Sequence, residues 1–124
     1  MEKISAKSIL LVDDHQEFLT ALANIFMESS RNVCIRTAEN GVKALKVLES
    51  AQVDLVMTDL KMPVMDGFDF LSQMRKMYPD IPVIVVSAFI DSEVEKKLRS
   101  MSVTRCIEKL KIEKFVPVIL RGLD

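Results

Sequence analysis

The sequence predicts an α/β protein built on a parallel sheet with helices on both faces. Three observations carry this. Five short apolar runs rich in β-branched residues are spread along the chain, and a helical apolar pattern follows each. Runs such as Leu10-Leu11-Val12 and Val83-Ile84-Val85-Val86 are also apolar at every position. A strand with one wet face alternates polar and apolar residues, whereas a strand buried on both faces has no need to. Alternating strand and helix favours parallel pairing through helical crossovers, which should be right-handed.

Taken in order, residues 8–13, 33–37, 53–58, 81–87 and 103–108 read as strands, short and β-branched. After the first, Phe18, Leu22, Ile25 and Phe26 mark one face of a helix. Val42, Leu45 and Leu48 do so after the second, and Phe68, Leu71 and Met74 fill the third gap. Val94, Leu98 and Met101 follow the fourth run. A last helix should start near Ile112. Pro117 within it lacks an N–H, which predicts a kink or a displaced start.

At 124 residues the chain fits one domain spanning 1–124, with enough length for a substantial core. Hydrophobic residues make up 49% and charged residues 28%, a balance that suits a globular protein. The net charge of -1 gives no polyelectrolyte reason to bind nucleic acid or a membrane. After residue 90, eight Lys and Arg face six Asp and Glu, an excess that reads as a solvated face. No apolar run is long enough for a membrane span, and the opening MEKISAKS lacks a signal peptide's apolar region. A cytoplasmic protein is therefore expected. Cys34 and Cys106 lie in separate apolar runs without metal-ligand spacing, so both read as buried structural thiols. The eight methionines read as flexible core filler.

Ligands of an open parallel sheet sit beyond the carboxyl ends of its strands. The polar residues ending these runs are Asp13 and Asp14, Asp59, Ser87 and Lys109, drawn from the first, third, fourth and fifth strands. Three carboxylates would thus meet a hydroxyl and an ammonium on one rim. Like charges about 4 Å apart repel by about 4 kcal/mol at an effective dielectric near 20, so such a set needs a counter-ion. Lys109 offsets one charge, and a hard divalent cation such as Mg2+ would offset more through oxygen ligands. Zinc fits poorly, since His15 is the only histidine. An acidic magnesium site on an open rim invites a phosphate. Plainer readings exist for each residue. Asp14 and Glu17 have the spacing of an N-cap and its N3 partner, Ser87 could cap the next helix, and Asp59 could belong to a turn before Pro63. His15 reads as an exposed first-turn residue.

The stretches ILLVDDH at the first strand, DLVMTDLKMPVMDGFDFL around Asp59, PVIVVSA ending near Ser87, and EKL around Lys109 resemble the receiver domain of bacterial two-component response regulators, chemotaxis regulators included. The resemblance covers nearly the whole chain. It implies a doubly wound, flavodoxin-like fold: a five-stranded parallel sheet of order 2-1-3-4-5 flanked by five helices. Cys34 and Cys106 would then lie on opposite edge strands, too far apart for a disulfide. It further implies that Asp59 is the phosphoacceptor, taking a phosphoryl group from a sensor histidine kinase or phosphotransfer protein. Asp13, Asp14, Asp59 and the backbone carbonyl of Lys61 would hold Mg2+. Ser87 would hydrogen-bond a phosphoryl oxygen, and Lys109 would pair with another. The chain would be no enzyme beyond its own phosphorylation and dephosphorylation. It would act on a downstream protein, without direct nucleic-acid or membrane binding, as a monomer or weak dimer.

Four departures from the family pattern stand out. Cys106 occupies the place of an aromatic three residues before the lysine, which removes the ring that moves on activation. Leu110 replaces the proline after the lysine, and Ser102 replaces a glycine after the fourth helix, where strain or a different cap is expected. Lys61 and Phe89 overhang the pocket, which implies a longer-lived phosphorylated form. Two other functions compete with a phosphorylatable switch. One is a receiver-like binding module that works unphosphorylated, suggested by Cys106 and Leu110. The other is a magnesium phosphatase, which would need a second carboxylate where Lys61 stands. No output domain follows the last expected helix, so the chain is expected either to stand alone or to be cut from a longer protein.

Overall fold

A computed structural model of the chain describes residues 6–62 and 64–123. Pro63, the first five residues and Asp124 lie outside them, and with them the expectation of a turn at Pro63. The elements run β1 (Lys7–Val12), α1 (Gln16–Ser29), β2 (Val33–Ala38), α2 (Gly41–Ser50), β3 (Leu55–Thr58) and α3 (Gly67–Met77). They continue with β4 (Val83–Ser87), α4 (Ser92–Ser100), β5 (Arg105–Glu108), a 3-10 turn (Lys109–Lys111) and α5 (Ile112–Leu123). The strands form one parallel sheet in the order β2-β1-β3-β4-β5, as expected.

The pleat sorts the central strands onto two cores. Ile9 and Leu11 of β1 pack with Leu19, Leu22 and Phe26 of α1 and with Ile112, Val116 and Ile119 of α5. Leu10 and Val12 face the other way, onto Ala44 and Leu48 of α2, Phe70, Leu71 and Met74 of α3, and Leu98 of α4. Both faces being dry explains why no polar alternation interrupts these strands. No helix among the described residues is long and apolar enough to cross a membrane.

Three strands start later than the sequence suggests, each for a local reason. Asp54 closes a two-bond link to Ser8, its carboxylate accepting from the Ser8 N–H, and β3 begins after it. Pro82 has no N–H to donate and only accepts, from Val56, so β4 begins at Val83. Val103 is used to finish α4. Its N–H donates to Leu98 O at 3.2 Å while Ser102 N–H donates to Arg99 O at 3.2 Å. This is the paired closure of a Schellman turn, and Ser102 stands in its left-handed position at φ 61°. The expected strain where a glycine is usual is therefore present. α5 begins at Ile112, so Pro117 does not displace its start. Both Pro117 and Glu113, whose carbonyl loses a partner, are exposed, so the open acceptor lies on the solvent side of the helix.

Arg75, which the sequence pattern did not single out, holds this end of the molecule together. Its guanidinium donates to Ile81 O at 2.6 Å, Pro79 O at 3.2 Å and Ser102 O at 3.0 Å, with longer contacts to Tyr78 O and Met101 O. It thus ties the end of α3 and the approach to β4 to the end of α4. The cysteines are free and lie on opposite edge strands. Cys34 is exposed, contrary to the expectation of a buried thiol: it lies near the start of an edge strand whose residues are exposed or half-buried until Ala38. Cys106 is half-buried, and burial, together with Glu95, holds its thiol above the usual range against an opposing effect of Arg99.

Candidate functional site

Register places the acidic residues side by side. Val12 sits opposite both Thr58 and Ala38. The next residues out, Asp13 and Asp59, leave the sheet together, with Asp13 N–H donating to Ala38 O at 3.1 Å and Asp59 N–H to Val12 O at 2.9 Å. Ser87 ends β4 opposite Glu108, and Lys109 follows at once on the 3-10 turn. Asp13, Asp59 and Ser87 are buried although they stand at the rim.

Lys109 joins the carboxylates. Its Nζ lies 2.7 Å from Asp13 Oδ2 and 2.9 Å from Asp59 Oδ2, and its side chain is 15% exposed. Burial pulls its pKa down, but close contact with Asp13 and Asp59 and their negative charge outweigh burial and hold the ammonium above the ordinary lysine value. The ring of Phe18 faces the same ammonium at 4.8 Å, an additional apolar-sided support. Asp59 is fixed at both ends. Oδ1 accepts from Leu60 N–H at 2.6 Å, Oδ2 faces the ammonium, and its carbonyl accepts from the Thr58 hydroxyl at 2.9 Å. Gly67 closes the loop beyond, donating to Leu60 O at 2.8 Å. A methyl group there would lie 2.4 Å from Asp59 O and 2.6 Å from Leu60 Cα, so only glycine permits this approach.

The plainer readings of the rim residues are not what the structure holds. Asp14 does not cap α1. The cap position is His15, whose N–H donates to Asp13 Oδ1 at 2.9 Å, and the helix begins at Gln16, one residue later than an Asp14 cap requires. Ser87 does not cap α4, because Asp91 does, accepting from Val94 N–H. Asp59 is no solvated turn residue but a buried one. His15 is exposed, as expected, yet its Nδ1 lies 3.0 Å from Asp13 Oδ1 and 3.3 Å from Asp14 Oδ1. That nearness, the Phe18 ring and the Leu60 N–H went unread in the sequence. The Asp13-Asp14-His15 adjacency was the one available signal.

A cavity of about 710 Å³ opens beside the cluster, lined by Asp14, Lys61, Ser87, Phe89 and Phe68 among others. Lys61 and Ser87 thus face the same hollow as Asp14. One ligand atom from each of Asp13, Asp14, His15 and Asp59 lies within 4.8 Å of all the others. Asp13 Oδ2 is buried without an aligned hydrogen bond and meets only the ammonium. Hard oxygens in excess of the one cation that neutralises them suit a divalent ion such as Mg2+.

Comparison with known proteins gives the same direction. A family model described as the response regulator receiver domain matches residues 9–118. The transcriptional regulatory protein GlrR of Escherichia coli strain K12 is 39% identical over 80 residues, 64% of this chain and 18% of that protein. Sensor histidine kinase RcsC of the same strain is 34% identical over 101 residues, 82% of this chain and 10% of that protein. The chain therefore spans less than a fifth of either relative. Response regulator protein TrrA from Thermotoga maritima, solved in complex with Mg(2+)-BeF, is 30% identical. It superposes with a TM-score of 0.82 over 95% of this chain and 99% of that one. On the family match and the shared fold, this chain belongs to the response regulator receiver domains of two-component systems.

Proposed function

We propose that Asp59 accepts a phosphoryl group from the phosphohistidine of a sensor kinase or phosphotransfer protein. The observation that carries this is a buried carboxylate at a strand end, pinned by Leu60 N–H and Lys109 beside two further aspartates. An Asp59 oxygen attacks phosphorus in line. The new P–O bond forms as the donor's P–N bond breaks, and the departing imidazole keeps the electron pair and takes a proton from solvent. Little covalent help is needed, so positioning and charge neutralisation dominate. Leu60 N–H and Lys109 orient the nucleophile. Lys109 also pairs with a phosphoryl oxygen once the acyl phosphate forms, and the Ser87 hydroxyl donates to another. Mg2+, held by Asp13, Asp14, Asp59 and the Lys61 carbonyl, would supply the remaining positive charge, a reading supported by the oxygen-rich donor set and by the Mg(2+)-BeF complex of the Thermotoga relative.

The new charge then biases a two-state equilibrium, drawing Ser87 and Lys109 inward and moving the loop between β4 and α4. Cys106 in place of a ring leaves that motion without an aromatic reporter. The chain turns over no outside substrate. It acts in the cytoplasm on a downstream protein, as a monomer or weak dimer, without binding nucleic acid or membrane itself.

Incubation with Mg2+ and a small phosphodonor, read by intact mass, tests this. One phosphoryl group should appear on the wild type and be absent from Asp59→Asn. No gain, or a gain that survives the substitution, overturns it. A second reading, a docking module that ignores phosphorylation, draws on the half-buried Cys106 beside Arg99 and Glu95. Partner binding that is equal in wild type and Asp59→Asn would select it.

A further inference from the structure

We infer that His15 is a direct nitrogen ligand of the cation in this site, so that the site favours late first-row divalent ions such as Co2+ over Mg2+. The inference rests on the proposed magnesium-type site at Asp13, Asp14 and Asp59 and adds a residue to it.

Three features of the chain point there. The first is distance. Neighbouring ligands of an octahedral ion bound at about 2.1 Å stand about 3.0 Å apart. His15 Nδ1 lies 3.0 Å from Asp13 Oδ1 and 3.3 Å from Asp14 Oδ1, so its two separations from the carboxylates match that spacing, and all the ligand atoms lie within 4.8 Å of one another. The second is a buried oxygen held by one cation alone. Asp13 is 2% exposed and its Oδ2 meets only the Lys109 ammonium at 2.7 Å, which leaves further acceptor capacity aimed into the same cluster. The third is how the ring is held. His15 is the cap position of α1, and its own N–H donates to Asp13 Oδ1, so the backbone fixes the residue against the carboxylate it would share a metal with. Its side chain is otherwise exposed, with the Lys109 ammonium 3.4 Å from the same Nδ1.

The ligand type sets the preference. Imidazole nitrogen adds much to the binding of borderline ions and little to that of Mg2+, which retains oxygen ligands and water. His15 is the only histidine in the chain, so imidazole coordination measured in this protein has one possible source.

Titration calorimetry with Co2+ and with Mg2+, on wild type, His15→Ala and Asp13→Asn, provides the test. Losing His15 should weaken Co2+ by at least the tenfold that removal of an outer partner already costs a metal site, while Mg2+ affinity changes less than about twofold. His15→Asn, which keeps a polar side chain near Asp13, should behave as His15→Ala does. Pulsed EPR of bound Mn2+ should show imidazole nitrogen coupling in the wild type and none in His15→Ala. Equal Co2+ and Mg2+ losses, or Mn2+ without nitrogen coupling, overturn the role of His15 while leaving the aspartate site standing. Absence of any cation binding to the wild type, or binding unaffected by Asp13→Asn, overturns the aspartate site itself and this inference with it.

Discussion

Replacing Lys109 by methionine keeps most of the hydrocarbon stem and removes the one ammonium between two buried carboxylates. At 2.7 and 2.9 Å, each contact is a gross attraction of about 6 kcal/mol at an effective dielectric near 20. Desolvation of three charges consumes most of that. What the variant exposes is the remainder. Asp13 and Asp59, with ligand oxygens no more than 4.8 Å apart, are left to repel each other by at least about 3 kcal/mol. Breaking a buried pair by removing one partner costs about 3–5 kcal/mol, and the 15% exposure of Lys109 puts this case at the lower end, about 3 kcal/mol. For a domain of this size that is about 10 °C in melting temperature. Because Asp13 and Asp59 raise the Lys109 pKa above its unfolded value, the contribution is complete below about pH 10.4 and fades only as pH rises through the higher folded value. Urea unfolding of both proteins from pH 6 to 9 should therefore give a constant gap near 3 kcal/mol. Added Mg2+ should narrow the gap, since a cation binding the folded state stabilises it most where the acids lack Lys109. A gap below 1 kcal/mol, or one that changes steeply between pH 6 and 9, would refute this account of the triad.

Ser102→Gly should stabilise the protein by about 0.5–1 kcal/mol, since a left-handed residue with a Cβ costs 1–2 kcal/mol and glycine returns part of that as unfolded-state entropy; a shift in urea midpoint reads it. Arg75→Met should cost about 2–3 kcal/mol by leaving the carbonyls of Ile81, Pro79 and Ser102 unmatched. Arg75→Lys should recover little, because an ammonium cannot span carbonyls on three segments. Phe89→Ala should speed loss of the phosphoryl group roughly threefold, about 0.7 kcal/mol of barrier, by opening the mouth of the cavity to water; radiolabel decay measures it.

What could be read in advance follows from how local each cause is. The uniformly apolar strands signalled a sheet covered on both faces because burial on two sides removes the need for polar positions. Strand-end acids and Lys109 were readable because parallel topology sends every strand's carboxyl end to one rim. Other features depend on contacts between distant segments. Arg75 gathers carbonyls from residues 79, 81 and 102, and nothing in its own neighbourhood announces them. The start of β5 is set by Ser102 and Val103 being used to close α4, a competition that β-propensity does not register. Asp14 had the spacing of a helix cap, yet Asp13 takes the His15 N–H instead and leaves Asp14 facing the cavity.

The central claim is that Asp59, and no other residue, carries the phosphoryl group. Peptide mapping of the phosphorylated protein by tandem mass spectrometry tests it most directly. A single hydroxylamine-labile acyl phosphate is expected on the peptide containing Asp59. A phosphoryl group on His15, Ser87 or another aspartate, with Asp59 unmodified, would contradict it.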